Sequence, residues 1–283
     1  MPVTIVDACR RDGRGGSPTA VLDDGPFSDA ERRAVPALMG TSHAVFVSPE
    51  NDGPAVPVRF FTTEGELPAC GHGTVAALAV LAERAGGDDH RAVLRTSRRT
   101  FTGHCVRNAS GLTAEFDPGP VDLREPTARE RALVLPALGI APGALGSGLR
   151  VASVGRPRML VPVTTRSALT ALAPDQDRLR AACDELGLLG AYVHTPPTGE
   201  GSLAARLFAP SIGVPEDIAN ANSTACLAAH LAGRGITGIS VDMGDALGAP
   251  STITATTRQG PSGPVVRVGG TATIERTTVL PQA

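Results

Sequence analysis

Two stretches of this sequence are apolar on every side and built almost wholly from small residues: Thr-Val-Ala-Ala-Leu-Ala-Val-Leu-Ala at 74–82 and Ala-Cys-Leu-Ala-Ala-His-Leu-Ala at 225–232. Alanine and leucine are strong helix formers. A helix with no polar face has no side to offer water, so it must be enclosed all round. Gly86-Gly87 and Gly233 stand where each helix should stop. Each helix is preceded by a polar turn, Cys70-Gly-His-Gly73 in one case and Glu216-Asp-Ile-Ala-Asn-Ala-Asn-Ser-Thr224 in the other. The stretches around both are rich in Val and Thr, which favour strands. Two enclosed helices therefore require two curled sheets, and 283 residues are enough for two such domains.

The order of elements supports this division. Strands are expected at Val3–Ala8, Ala20–Leu22, His43–Ser48, Val56–Thr62, Val93–Arg95, Thr100–Val106 and Leu112–Phe116, with a helix over Ser28–Met39 capped by Ser28. The Pro-rich segment after Asp117 reads as a connection. The plan then repeats. Helices are expected at Ala128–Leu138 and Gln176–Leu186. Strands are expected at Leu149–Ser153, Met159–Val163, Ala191–His194, Ala204–Phe208, Thr252–Arg258, Val265–Val268 and Thr271–Arg276. The predicted fold class is α+β, with two pseudo-symmetric domains, each a curled, mostly antiparallel sheet around a central helix. The predicted boundaries are residues 1–118, a linker at 119–127, and residues 128–283, whose last strands can cross back to the first domain.

Composition excludes several chemistries. All 26 basic side chains are Arg. Schiff-base catalysis, an internal pyridoxal aldimine and a Walker-type phosphate site each need a lysine amine that this chain lacks. Net charge is −2 and the arginines are scattered, so no nucleic-acid footprint is expected. No apolar run is long enough for a bilayer span, and residues 1–16 do not resemble a signal peptide, which makes the cytoplasm the expected compartment. The five cysteines are odd in number and lack a C-x-x-C spacing, so neither a metal constellation nor a redox pair is expected.

Chemistry is expected at the two turns. The first N–H groups of a helix have no internal partner, and the helix dipole is positive there. Such an end binds a carboxylate without any lysine. Two ends facing each other could hold an anionic substrate and stabilise developing enolate-like charge. The first turn contributes Cys70, Gly71, His72 and Gly73. The second contributes Asp217, Asn220, Ala221, Asn222 and Ser223. Each also has a plain structural explanation: Cys70 as packing, Asp217 and Asn222 as caps.

These residues fall into a recognisable pattern. Val6-Asp-Ala8 with Gly16-Ser-Pro-Thr-Ala-Val21 is similar to V-D-A-F…G-N-P-x-A-V. Val58-Arg-Phe-Phe-Thr62 with Gly65-Glu-Leu-Pro-Ala-Cys-Gly-His-Gly-Thr74 is similar to R-F-F-T…G-E-L-P-x-C-G-H-x-T. Arg206-Leu-Phe-Ala-Pro210 with Gly213-Val-Pro-Glu-Asp217 is similar to R-x-F-A-P…G-I-x-E-D-P-A-T-G-S, and Gln259-Gly260 and Val268-Gly-Gly270 also match. By these motifs, almost end to end, the chain resembles the PhzF-like isomerases of phenazine biosynthesis, which have the diaminopimelate epimerase fold.

The resemblance implies a cleft between two domains, acid/base chemistry without a cofactor or metal, a small carboxylated substrate and a homodimer. It places His72 and Asp217 at active-site positions and Gln259 near the substrate. Two departures stand out. The family's acid/base Glu lies in S-E-T-A-F-V, and this chain reads Ser42-His-Ala-Val-Phe-Val47, so His43 takes the Glu position. The family's D-P-A-T-G-S reads Asp217-Ile-Ala-Asn-Ala-Asn222. An imidazole titrates near neutrality and can both take and return a proton. The expected reaction is therefore a 1,3-proton shift on a small unsaturated carboxylate in bacterial secondary metabolism. A pyrroline carboxylate diene of an alkylproline antibiotic pathway is one substrate that the resemblance suggests. Two other readings stay open: an amino-acid epimerase or racemase using Cys70, and a binding protein on an altered enzyme scaffold.

Overall fold

The computed structural model describes residues 1–48, 53–109, 111–141, 143–261 and 263–281. Its first half contains β1 (Pro2–Arg10), β2 (Ser17–Asp23), α1 (Asp29–Met39), β3 (His43–Val47), β4 (Ala55–Thr62), β5 (Gly65–Leu67), α2 (Gly71–Ala85), β6 (Asp89–Arg95), β7 (Thr100–Asn108) and β8 (Gly111–Phe116). Strand β9 (Asp122–Arg124) lies within residues 119–127. The second half contains α3 (Ala128–Leu138), β10 (Arg150–Val154), β11 (Arg156–Pro162), α4 (Arg166–Thr170), α5 (Gln176–Leu186), β12 (Ala191–His194), β13 (Ser202–Ala209), β14 (Val214–Asp217), α6 (Ala221–Ala232), β15 (Gly238–Met243), β16 (Ser251–Gly260) and β17 (Gly263–Val279).

Pairing closes the first half into a barrel. Strand β1 pairs with β2, β2 with β3, β3 with β4, β4 with β6, β6 with β7 and β7 with β8. Strand β8 then pairs with β17, and β17 returns to β1. Two of these pairings, β2–β3 and β4–β6, are parallel. Parallel neighbours need a crossover connection. The second of these crossovers includes α2 itself, so the chain threads a helix through the barrel it is building. That helix touches β1, β2, β3, β6, β7, β8 and β17.

The second half repeats the scheme. Antiparallel β10–β11, parallel β11–β12, antiparallel β12–β13, parallel β13–β15, then antiparallel β15–β16 and β16–β17 follow in the same order. Helix α6 lies between the parallel strands β13 and β15 and packs on β10, β16 and β17. This is the expected architecture of two pseudo-symmetric curled sheets around central helices. The C-terminal stretch was expected as two strands, Val265–Val268 and Thr271–Arg276, and is instead one strand running through Gly269-Gly270. Those glycines permit close approach of backbones: a Cβ on Gly269 would lie 1.9 Å from the Ala114 carbonyl oxygen.

Enclosure explains the small side chains. In α2 every residue from Gly71 to Val80 is buried, and in α6 every residue from Ala221 to Ala229. Barrel strands make room for the larger members. A Cβ on Gly103 in β7 would come 2.6 Å from both methyls of Leu78. Gly103→Val is therefore expected to overpack this contact and cost about 1–3 kcal/mol. Urea unfolding of the variant, at unchanged m-value, measures that loss. No helix among the described residues is long and apolar enough to cross a membrane.

A second stability prediction concerns His194 in β12. The ring is 4% exposed, Nδ1 meets the Thr195 carbonyl at 3.0 Å, and Nε2 has no partner among the described residues. Burial holds its pKa down at about 4. The unfolded chain takes up that proton near pH 6.5 while the folded chain does not. The neutral ring's contribution is thus fully present above about pH 6.5 and is lost as pH falls toward 4. The loss amounts to about 3 kcal/mol at an ordinary 1.4 kcal/mol per pH unit. His194→Leu should flatten the stability profile over that window in urea titrations at pH 7 and pH 5.

Candidate active site

The N-termini of α2 and α6 abut. A Cβ on Gly71 would lie 2.6 Å from the Ala221 side chain and 3.1 Å from the Ala221 backbone nitrogen. Gly73 is equally confined, with Cys70 Sγ, Phe60 and Val45 all within 3.1 Å of where its Cβ would sit. Glycine is required at both positions by space alone, which the sequence motif conceals.

The two ends differ in how they are capped. Helices α1 and α3, at the surface, carry full capping boxes from Ser28/Glu31 and Thr127/Glu130, and α5 is capped by Asp175. Helix α2 has Cys70 at its N-cap and no side-chain cap at all. The N–H groups of Gly71, His72 and Gly73 therefore lack helical acceptors in a buried place, where unpaired donors are costly. In α6 the Asn220 side chain accepts from the Ser223 N–H at 2.9 Å, leaving Ala221 and Asn222. Ser223 was expected to offer its N–H to substrate, and its own helix consumes that group. Its hydroxyl is buried without a partner among the described residues. Asn222 sits buried in the same first turn.

Asp217 ends β14 and organises this turn. Its carboxylate accepts from the Asn220 amide at 2.9 Å and from the Ala219 N–H at 3.4 Å. His72 bridges the two halves, with Nδ1 donating to the Ala219 carbonyl at 2.8 Å. Its Nε2 lies 3.5 Å from Cys70 Sγ. His43 opens β3 and packs its ring edge-on against His72, centroids 4.3 Å apart. Its Nδ1 lies 2.9 Å from the hydroxyl of exposed Ser42.

The two imidazoles are driven apart in basicity. Burial, reinforced by the positive charge of His72, pushes His43 well below the usual imidazole range. Burial opposes the charged form of His72 as well, but Cys70, Asp217 and the Ala219 carbonyl outweigh it and hold its pKa up at about 9. The pair's proton therefore resides on His72, and His43 is a neutral ring with a free lone pair beside a charged one.

Cys9 is a neighbour that the sequence did not reveal. It occupies a bulge between Ala8 and Arg10 of β1 with φ +62°, a strained conformation for a residue with a side chain. Its Sγ lies 3.2 Å from where a Gly270 Cβ would be. Burial, then Asp217 and Cys70, push its thiol up, so it stays protonated.

Other expectations fare differently. Gln259 is not brought to this cluster. It is exposed beside the β16–β17 turn, facing Pro264, and among the described residues its amide reaches only the Gly260 carbonyl. Cys226, the second thiol that a two-cysteine racemase would need, lies in the body of α6 against Arg158. The expectation of no metal constellation also needs revision, since ligand atoms of His43, Cys70 and His72 lie within 4.8 Å of one another and all three residues are buried. Cavities of about 540 Å³, lined by Arg11, Asp12, Arg14, Asp245 and Pro250, and about 130 Å³, beside Arg166 and Arg206, lie elsewhere. At the helix ends His43, His72, Asp217 and Asn222 are all buried.

Comparison with known proteins identifies the family of the chain. Residues 6–278 match the family model of phenazine biosynthesis-like proteins, PhzC-PhzF. The chain is 31% identical to an uncharacterized isomerase of Deinococcus radiodurans over 95% of its own length and 91% of that protein's. It is 32% identical to the trans-2,3-dihydro-3-hydroxyanthranilate isomerase of Pseudomonas fluorescens, covering 82% of this chain and 80% of the relative. Among solved structures, a predicted epimerase from Pseudomonas aeruginosa superposes with a TM-score of 0.85 at 28% identity, covering 100% of this chain and 99% of the other.

Proposed function

This chain belongs to the phenazine biosynthesis-like family and is an isomerase, and from that premise we propose that it moves a proton between two carbons of a small unsaturated carboxylate, with His43 taking and returning it. One observation supports this reading above the rest: two buried helix N-termini abut at Gly71 and Ala221, one of them uncapped, beside a neutral imidazole.

In this reading the two helix ends part to admit substrate. The carboxylate takes hydrogen bonds from the N–H groups of Gly71, His72, Gly73, Ala221 and Asn222. These donors, fixed in advance and backed by two helix dipoles, stabilise negative charge as it spreads into the carboxylate. The free lone pair of His43 accepts a proton from an acidic C–H. The electrons of that bond form a new double bond, the old double bond opens toward the distal carbon, and the imidazolium, its N–H exchanged with solvent, delivers a proton there. Proton and electron pair are conserved, so no oxidant or reductant is required. Asp217 holds the second turn through Asn220, and charged His72 orients the substrate.

The substrate class follows from a site that offers backbone donors and a single neutral base. A conjugated ring acid meets that description, either a pyrroline carboxylate diene or a dihydro-hydroxyanthranilate of the kind named for the Pseudomonas relative. The test is incubation in heavy water with a panel of both classes, read by mass spectrometry. The expected result is one deuterium incorporated per migrated double bond. No label from any acid of either class, with wild type equal to His43→Ala, defeats the proposal.

A further inference from the structure

We propose that His43, Cys70 and His72 also form a three-ligand site for a divalent metal ion, with zinc the best match. These are the imidazole and thiolate donors that zinc prefers. Zinc takes sulfur at about 2.3 Å and imidazole nitrogen at about 2.0–2.1 Å, so tetrahedral neighbours stand roughly 3.5 Å apart. Cys70 Sγ and His72 Nε2 are already 3.5 Å apart, and the whole set lies within 4.8 Å. Closing it asks about an ångström of side-chain movement.

The surroundings strengthen the case. A metal-bound histidine usually gives its other ring N–H to a carbonyl, carboxylate or water, which fixes the tautomer. His72 Nδ1 donates to the Ala219 carbonyl, and His43 Nδ1 lies on the Ser42 hydroxyl. That leaves Nε2 as the ring nitrogen open to a metal on each histidine, on His72 once its Nε2 proton has left. The edge-on contact of the two rings keeps a nitrogen of each within 4.8 Å of the other and of the Cys70 thiol. Binding displaces the proton that Cys70 Sγ and His72 Nε2 share. Both atoms become ligands, and one proton leaves to solvent.

Metal binding is read without substrate, so it stands or falls apart from the isomerase reading. The two meet in one consequence that does rest on that reading. An ion on these atoms occupies the lone pair that proton transfer uses, so the metal-loaded and proton-shuttling forms exclude each other.

The test is titration of the intact protein with Co²⁺ alone, followed by competition with Zn²⁺. The expected result is one ion per chain, with a thiolate-to-cobalt charge-transfer band that zinc abolishes. Cys70→Ser should lose the band. Ser42→Ala, which removes only the partner of His43, should weaken binding by about tenfold. Cys183→Ser, a buried thiol elsewhere, should leave the spectrum unchanged. Absence of a thiolate band from the wild-type protein overturns the proposal whatever the variants do, and so does a band that persists in Cys70→Ser. Where deuterium incorporation is measurable, saturating zinc should reduce it at least about tenfold and a chelator should restore it. Zinc bound through Cys70 with incorporation unchanged would instead contradict His43 as the base.

Discussion

His43→Gln should reduce deuterium incorporation into substrate by about 10²–10⁴-fold, the usual worth of a positioned acid/base group. Glutamine keeps much of the ring's volume and can still reach the Ser42 hydroxyl, but it cannot carry the proton. The buried ring is neutral when folded, so the exchange removes no ion pair and the thermal midpoint should move little. The loss should fall on kcat, since the carboxylate contacts come from the helix ends and not from this side chain. His43→Glu returns the carboxylate that the family resemblance assigns to this position, and it should recover part of the lost rate. Equal rates for His43→Gln and wild type would remove the base from the scheme.

The second large effect concerns no chemical group at all. Gly71→Ala should lower kcat/KM by about 10²-fold, because a methyl placed 2.6 Å from the Ala221 side chain forces the two helix ends apart. A displacement of about an ångström suffices for a loss of that size. The complementary change supplies the control. Ala221→Gly removes the opposing methyl, and the double variant Gly71→Ala/Ala221→Gly should regain most of the activity. Strong non-additivity is expected of residues in direct contact. If the double variant is as poor as Gly71→Ala alone, the spacing of the helix ends is not what matters.

Much of the architecture was legible because it rests on helices with no polar face. The small-residue runs at 74–82 and 225–232 demanded enclosure, and both helices are enclosed. Helices α3 and α5 lie where they were expected, at Ala128–Leu138 and Gln176–Leu186. Several short elements were not, although the four residues of β12 were expected where they lie. Strands β5, β9 and β14 and helix α4 are three to five residues long, too brief for any hydrophobic period to develop. Strand β15 does alternate, burying Ile239, Val241 and Met243, but its Gly-rich flanks mask it.

The site divides along the same line. The turns that hold Gly71, His72, Asp217 and Asn222 were legible because polar residues before an enclosed helix need a reason. What the sequence did not disclose were relations across the fold. Cys9 enters through a bulge that no local pattern announces. Cys70 and His72 come from one turn and His43 from a strand 27 positions before Cys70, so their convergence has no spacing signature. Ser223 looked available until Asn220 was seen to take its N–H. Gln259 matched a motif, yet the hairpin carries it out to solvent.

The central claim is that main-chain amides at two interior helix ends grip a carboxylate together. Backbone amide shifts in a ¹H–¹⁵N spectrum, recorded while titrating a pyrroline carboxylate into the metal-free protein, test it most directly. The account predicts concerted, saturable shifts at Gly71, His72, Gly73, Ala221 and Asn222. Shifts confined to the cleft lined by Arg11 and Arg14, with both helix ends unmoved, would contradict it.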